Sequence, residues 1–209
     1  MATLPKEAFQ LHGGCFCKAI TYTVSVPELP SRPLLGSAIT NRIGATNETK
    51  DRLPLISLDH CNSCRRIAGV ILQCWLIIPI SWASFSLLIR SSYPESGFGI
   101  ENRITSSALN VLKGEKELVE TTHLKTFATS NDVSRVFCGN CGTHLTFLQV
   151  AENQSGTKWG GHFDIAVGTL EQESVEMEGF VSHRQGHLED GIGWVKKLID
   201  EGVEGFSEC

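Results

Sequence analysis

The chain has 209 residues, enough for one domain with a substantial core, and its 41% hydrophobic and 20% charged residues describe a globular protein rather than a disordered or fibrous one. A formal charge of -5 lacks the basic surplus that phosphate binding draws on, so nucleic acid is not an expected partner. The most apolar stretch, VILQCWLIIPI at 70–80, is too short to cross a bilayer as a helix and contains Pro79, so no membrane is expected either. The opening MATLPKEAFQLHGG carries no apolar run behind a basic start, which points to a cytoplasmic protein. There thiols stay reduced, and grouped cysteines hold metal more often than they form disulfides.

Taken in chain order, CFCKAITYTVSV at 15–26 alternates and is rich in β-branched and aromatic residues, as a strand is. Residues 27–54 hold four prolines and no sustained period, and a Pro-rich insertion of about 27–57 is expected in an otherwise single domain spanning 1–209. Residues 70–89 read as one or two strands, the first of them buried, and 91–99 as a turn-rich break. Short strands around a turn at Gly114 are expected over 108–129, a β-turn-β unit over 134–150 and a further strand over 160–170. GWVKKLIDEG at 193–202 spaces Trp194, Leu198 and Ile199 like the buried stripe of a short helix. The expected architecture is mainly β with one terminal helix.

Six of the eight cysteines fall into three pairs: Cys15-x-Cys17, Cys61-x-x-Cys64 and Cys138-x-x-Cys141. In FCGNCGTHL the glycine after each thiol lets backbone amides turn toward sulfur, and the spacing lets both thiolates reach one tetrahedral ion. Two such pairs close a structural zinc site and leave one pair over. Spacing does not say which, but the polar, charged flanks of DHCNSCRR mark Cys61 and Cys64 as the odd pair. A zinc with fewer than four protein ligands keeps a position for water or substrate, which makes 59–66 the candidate reactive centre. The competing readings are buried reduced thiols or a redox pair. Cys74, inside the apolar strand, reads as core, and Cys209 as a mobile tail.

In order and spacing, GGCFCKAITYTV, DHCNSCRR, RVFCGNCGTHLTF, FDIAVGTLE and HLEDGIGW resemble the glutathione-dependent formaldehyde-activating enzyme family, which includes centromere protein V. The resemblance runs from Gly13 to about Trp194. It implies small packed antiparallel β sheets built around a structural zinc on Cys15, Cys17, Cys138 and Cys141. It also implies a second zinc held by a three-cysteine C-x-C-x-x-C run, of which Cys61 and Cys64 match the last two positions while Asp59 stands at the first. The implied chemistry is carbon–sulfur bond formation and cleavage, with glutathione as a possible co-substrate.

A carboxylate also ligates zinc, and two thiolates with one carboxylate carry the same formal charge as three thiolates. Asp59 is therefore read in three ways: a third ligand, a general base beside a two-cysteine site, or a surface residue beside a lost site. The neighbouring His60 is a ligand by type, but in an extended segment it points the other way. Arg65 and Arg66 suit an anionic substrate or else a structural salt bridge, and Arg135 is read the same way. Of His144, His162, His183 and His187, the last is the preferred substrate-binding candidate because it lies in HLEDGIGW.

Three functions follow. The first is a zinc-dependent carbon–sulfur lyase acting on a small-molecule carbonyl or thiol-conjugate substrate, with the insertion as a wall or lid that suits a substrate bulkier than formaldehyde. The second is a glutathione-independent lyase, isomerase or cyclase on an organic carbonyl compound, with Asp59 as base. The third is a non-catalytic binding module stabilised by one zinc.

Overall fold

A computed structural model of the protein describes residues 4–35, 52–90, 102–149, 161–182 and 184–201. The chain opens with a hairpin of β1 (Phe9–Gly14) and β2 (Ile20–Val26), paired from Phe9↔Val26 to Gly14↔Thr21. In β2 the apolar residues Ile20, Tyr22, Val24 and Val26 are buried at a period of two, while the threonines and serine between them face outward or toward the edge. The strand expected over 15–26 thus begins only at Ile20, and residues 15–19 form the turn that carries Cys15 and Cys17.

Next come β3 (Leu55–Asp59), the helix α1 (Asn62–Ala68), β4 (Gln73–Pro79), β5 (Ala83–Leu88) and β6 (Arg103–Ser107). The expected insertion gives up its last residues to β3, and its 36–51 portion lies outside the described residues, as does the 91–99 break. The stretch expected as strands around Gly114 instead starts as two short helices, α2 (Ala108–Lys113) and α3 (Lys116–Thr121), before β7 (Leu124–Ser130). Ala108, Val111 and Leu112 bury one helical face, the Ser107 hydroxyl accepts from the Asn110 amide, and Gly114 closes α2 with φ 65°. The turn at Gly114 is real, but it ends a helix.

The remaining elements are β8 (Val133–Cys138), β9 (His144–Gln149), β10 (His162–Ala166), α4 (Gln172–Val175), β11 (Gln185–Gly186) and α5 (Gly193–Glu201). The terminal helix forms as expected, yet its buried residue is Val195, while Trp194 is 59% exposed. Two sheets result. One is four-stranded and antiparallel, β1-β2-β5-β6; the other is seven-stranded, β11-β3-β4-β10-β9-β8-β7, antiparallel except for the parallel pair β11/β3.

β4 explains why 70–80 reads as uniformly apolar. Leu76 and Ile78 enter the larger core with Leu11, Val24, Phe85 and Leu87 of the four-stranded sheet. On the opposite face, Trp75 and Ile77 join Leu53, Leu55, Cys64 and Ala166 in a second cluster. Each such buried side chain is worth about 1.5–3 kcal/mol. A strand covered on both faces has no polar alternation to display.

Candidate metal centres

The first centre joins the two sheets. Cys15 and Cys17 come from the β1–β2 turn, Cys138 ends β8, and Cys141 sits in the β8–β9 turn; their Sγ atoms all lie within 4.8 Å of one another. Cys15 and Cys17 are 3.6 Å apart at sulfur, Cys17 and Cys138 3.7 Å. Zinc–sulfur bonds of about 2.3 Å place tetrahedral sulfurs about 3.8 Å apart, so the donor set fits zinc. The backbone is shaped to serve it: Ile20 N–H donates to Cys15 Sγ at 3.2 Å, the Gly142 amide reaches back to the Cys138 carbonyl at 2.9 Å, and Gly142 turns the knuckle with φ 77°.

Within the set, a hydrogen bond from Cys15, with the Cys141 and Asn140 amides, pulls the Cys138 thiol downward, and the same bond pushes the Cys15 thiol upward. Four thiolates this close repel one another strongly, and a bound dication removes that repulsion.

The second centre lies where β3 runs into α1. Asp59 ends the strand, Cys61 caps the helix and Cys64 fills its first turn; one ligand atom from each falls within 4.8 Å of the others. Asp59 is 8% exposed and Cys64 4%. Cys61 N–H donates to Asp59 Oδ1 at 3.0 Å and Trp75 Nε1–H to Asp59 Oδ2 at 2.9 Å, so the carboxylate is fixed in one orientation from both sides. Arg135 Nη2–H donates to Cys64 Sγ at 3.4 Å.

Burial, and then the charge of Asp59, push the Cys64 thiol up, against the pull of Arg135. A cation among these groups reverses that balance. Two sulfurs and a carboxylate are a donor set that zinc accepts, with a fourth position left for water or substrate.

Strand register shows which side chains share one surface with the second centre. Asp59 and Trp75 face the same way, because Trp75 lies two residues from Gln73, the partner of Asp59. Trp75 pairs with Ala166, two residues on from Asp164; Asp164 pairs with Phe147, and Phe147 with Arg135. Arg135 in turn pairs with Phe127 across to β7. One face of the large sheet thus carries Asp59, Trp75, Asp164, Phe147, Arg135 and Phe127. Arg135 is 2% exposed, with its guanidinium carbon 4.8 Å from the centroid of the Phe147 ring.

His60 points away from the trio: it is 3% exposed, and its Nε2 lies 2.9 Å from Gln185 Oε1. Arg65 spends one nitrogen on Asn62 Oδ1 at 2.8 Å, on its own helix, and Arg66 is exposed. His187 has φ 54° and is exposed, with its Nδ1 3.8 Å from Glu189 Oε1. Its strand neighbour Gly186 pairs with Asp59, so the backbone there flanks the centre, while the imidazole is not among the groups gathered at it. His183 and Cys209 lie outside the described residues, and Cys74 is partly buried against the larger core.

Trp75 is a candidate site residue that sequence reasoning missed, since its role depends on strand pairing; the signal was a hydrogen-bonding aromatic inside a mostly aliphatic run. Compared with known proteins, the chain matches no protein-family model and no curated sequence.

Proposed function

We propose that the protein is a zinc-dependent carbon–sulfur lyase of the formaldehyde-activating type, with a structural zinc on Cys15, Cys17, Cys138 and Cys141 and its reaction centre at Asp59, Cys61 and Cys64. The observation that carries this reading is the three-donor group in which a carboxylate oxygen of Asp59 and the sulfurs of Cys61 and Cys64 lie within 4.8 Å of one another, with Asp59 and Cys64 buried. The order and spacing of the cysteine motifs across the chain support it independently.

In the bond-forming direction the thiol sulfur bonds to the carbonyl carbon, the carbonyl π pair moves onto oxygen, and the thiol proton ends on that oxygen. The lyase direction reverses each change. When bound, zinc supplies Lewis acidity toward an oxygen and lowers the pKa of a thiol. The chain's own contribution is to hold the donors and their charge. Cys61 N–H and Trp75 Nε1–H orient Asp59, and Arg135 sets a positive charge against Cys64. Fixing both carboxylate oxygens suits a ligand, whose orientation has to be constant, and favours that role for Asp59 over the general-base and lost-site alternatives.

The test is exchange NMR on intact protein prepared without chelator, with glutathione and formaldehyde and with thiol adducts of larger aldehydes. Acceleration of at least one adduct is expected, falling by at least about 100-fold in Asp59→Ala and Cys64→Ser. Arg66→Ala should stay within about twofold of wild type, because Arg66 is exposed. A protein that carries two zinc ions and accelerates none of these adducts overturns the lyase reading.

A further inference from the structure

A cavity of about 270 Å³ adjoins the second centre, lined by Ile67, Phe127, Arg135, Phe137, Gly142 and His144. Two contacts tie it to the candidate ligands: Arg135 touches Cys64, and the His144 ring stands edge-on to Trp75 at 5.7 Å between centroids, with Trp75 bonded to Asp59. Ile67 follows Cys64 by three residues on α1, so the helix that supplies the ligand also supplies a wall.

Most of that wall is apolar, yet it holds a charged group with a free donor position. Among the described residues, Arg135 Nη1 makes no hydrogen bond, while the His144 ring is engaged with the Thr146 backbone. Nη1 carries two N–H donors, and Arg135 is only 2% exposed. Orphaned donors on a buried cation are costly, and native proteins keep them where a ligand provides the acceptor. A carboxylate is the acceptor that a guanidinium receives best. Among the described residues, the lining offers no acid to receive an ammonium group.

We infer that this cavity is the substrate pocket of the second centre and takes a compact acid, an aromatic or branched aliphatic body with a single carboxylate received by Arg135 Nη1. The inference rests on reading Asp59, Cys61 and Cys64 as the reaction centre. It names the carbonyl-bearing partner as larger than formaldehyde and as an acid. The volume lies just under the range of about 300–1,000 Å³ that holds drug-sized ligands, so the body is about the size of one ring with a short chain. Glutathione, a tripeptide with an ammonium and two carboxylates, does not match this lining; as a co-substrate it approaches from outside the cavity.

The experiment is calorimetry of the intact zinc-loaded protein with 3-phenylpropanoate and with its neutral amide, zinc being counted in the same samples. The acid is expected to bind at least about tenfold tighter than the amide, an advantage that Arg135→Gln removes. Ile67→Trp, at a half-exposed helix position, should fill the cavity and weaken both probes; should Arg135→Gln fail to fold, this variant and the acid–amide ratio still decide. Equal binding of acid and amide, or no effect of Ile67→Trp, overturns the pocket. Two zinc ions with no acid binding sinks the pocket alone, whereas one zinc with acid-selective binding sinks the reaction centre and retains the pocket as a carboxylate site.

Discussion

Each oxygen of Asp59 accepts one N–H, from Cys61 and from Trp75, and the second of these donors can be removed without disturbing the backbone. Trp75→Phe keeps most of the ring in the second core cluster and deletes a hydrogen bond to a charged group, at a cost of about 1.5–3 kcal/mol read from urea unfolding. Zinc retention at the second centre should fall by about 10–100-fold in the same variant, measured by competition with a chromogenic chelator. His144 gives a pH dependence. Burial, then the charge of Arg135, hold it down to about 4, against about 6.5 for an exposed imidazole. The unfolded chain therefore binds more protons between those values, so this residue's share of stability is present above pH about 6.5 and is lost as pH falls toward about 4. His144→Gln should flatten the stability–pH slope across that window relative to wild type. The cysteine pairs were legible in the sequence because ligand spacing is local, and Asp59 because it stands where the resembled family's C-x-C-x-x-C run has its first cysteine. Trp75, Arg135 and His144 were not placed, because their meaning depends on which strand lies beside which.

Helix ends supply the contrast at the next scale. Gly69 closes α1 at φ 69° with open space around a would-be side chain, whereas Gly114 closes α2 at φ 65° with Thr126 Cγ2 only 2.8 Å from that position. Gly69→Ala should cost about 1–2 kcal/mol, from the left-handed backbone alone. Gly114→Ala should cost more than Gly69→Ala in the same urea titration, since Thr126 has to move as well. The same segment shows where sequence periodicity fell short. Ala108, Val111 and Leu112 have helical spacing, but a six-residue helix offers under two turns of pattern, and the β-branched residues around it favour a strand. β4 was read correctly because a run of apolar residues ending at Pro79 has few other ways to be buried. Trp194 was misread because helical spacing fixes which residues share a face, not which face meets the core.

Across the whole molecule, the four-cysteine centre clips the β1–β2 turn of one sheet to the β8–β9 turn of the other, over a separation of 121 residues between Cys17 and Cys138. Losing that clip reopens a long loop, so Cys17→Ser should lower the melting temperature markedly and leave little further response to EDTA, while wild type responds strongly. Among the described residues the second centre's donors come only from β3 and α1, so its loss should leave global stability nearly unchanged while abolishing the proposed activity. On the proposed reading the two centres are separable, one structural and one reactive, and that separation is most directly tested by counting zinc. The measurement is zinc per chain by mass spectrometry in gently purified wild type and Asp59→Ala. About two ions in wild type and about one in the variant is the expected result, with both proteins folded. One ion in each would contradict the account, leaving Asp59, Cys61 and Cys64 without a stable metal.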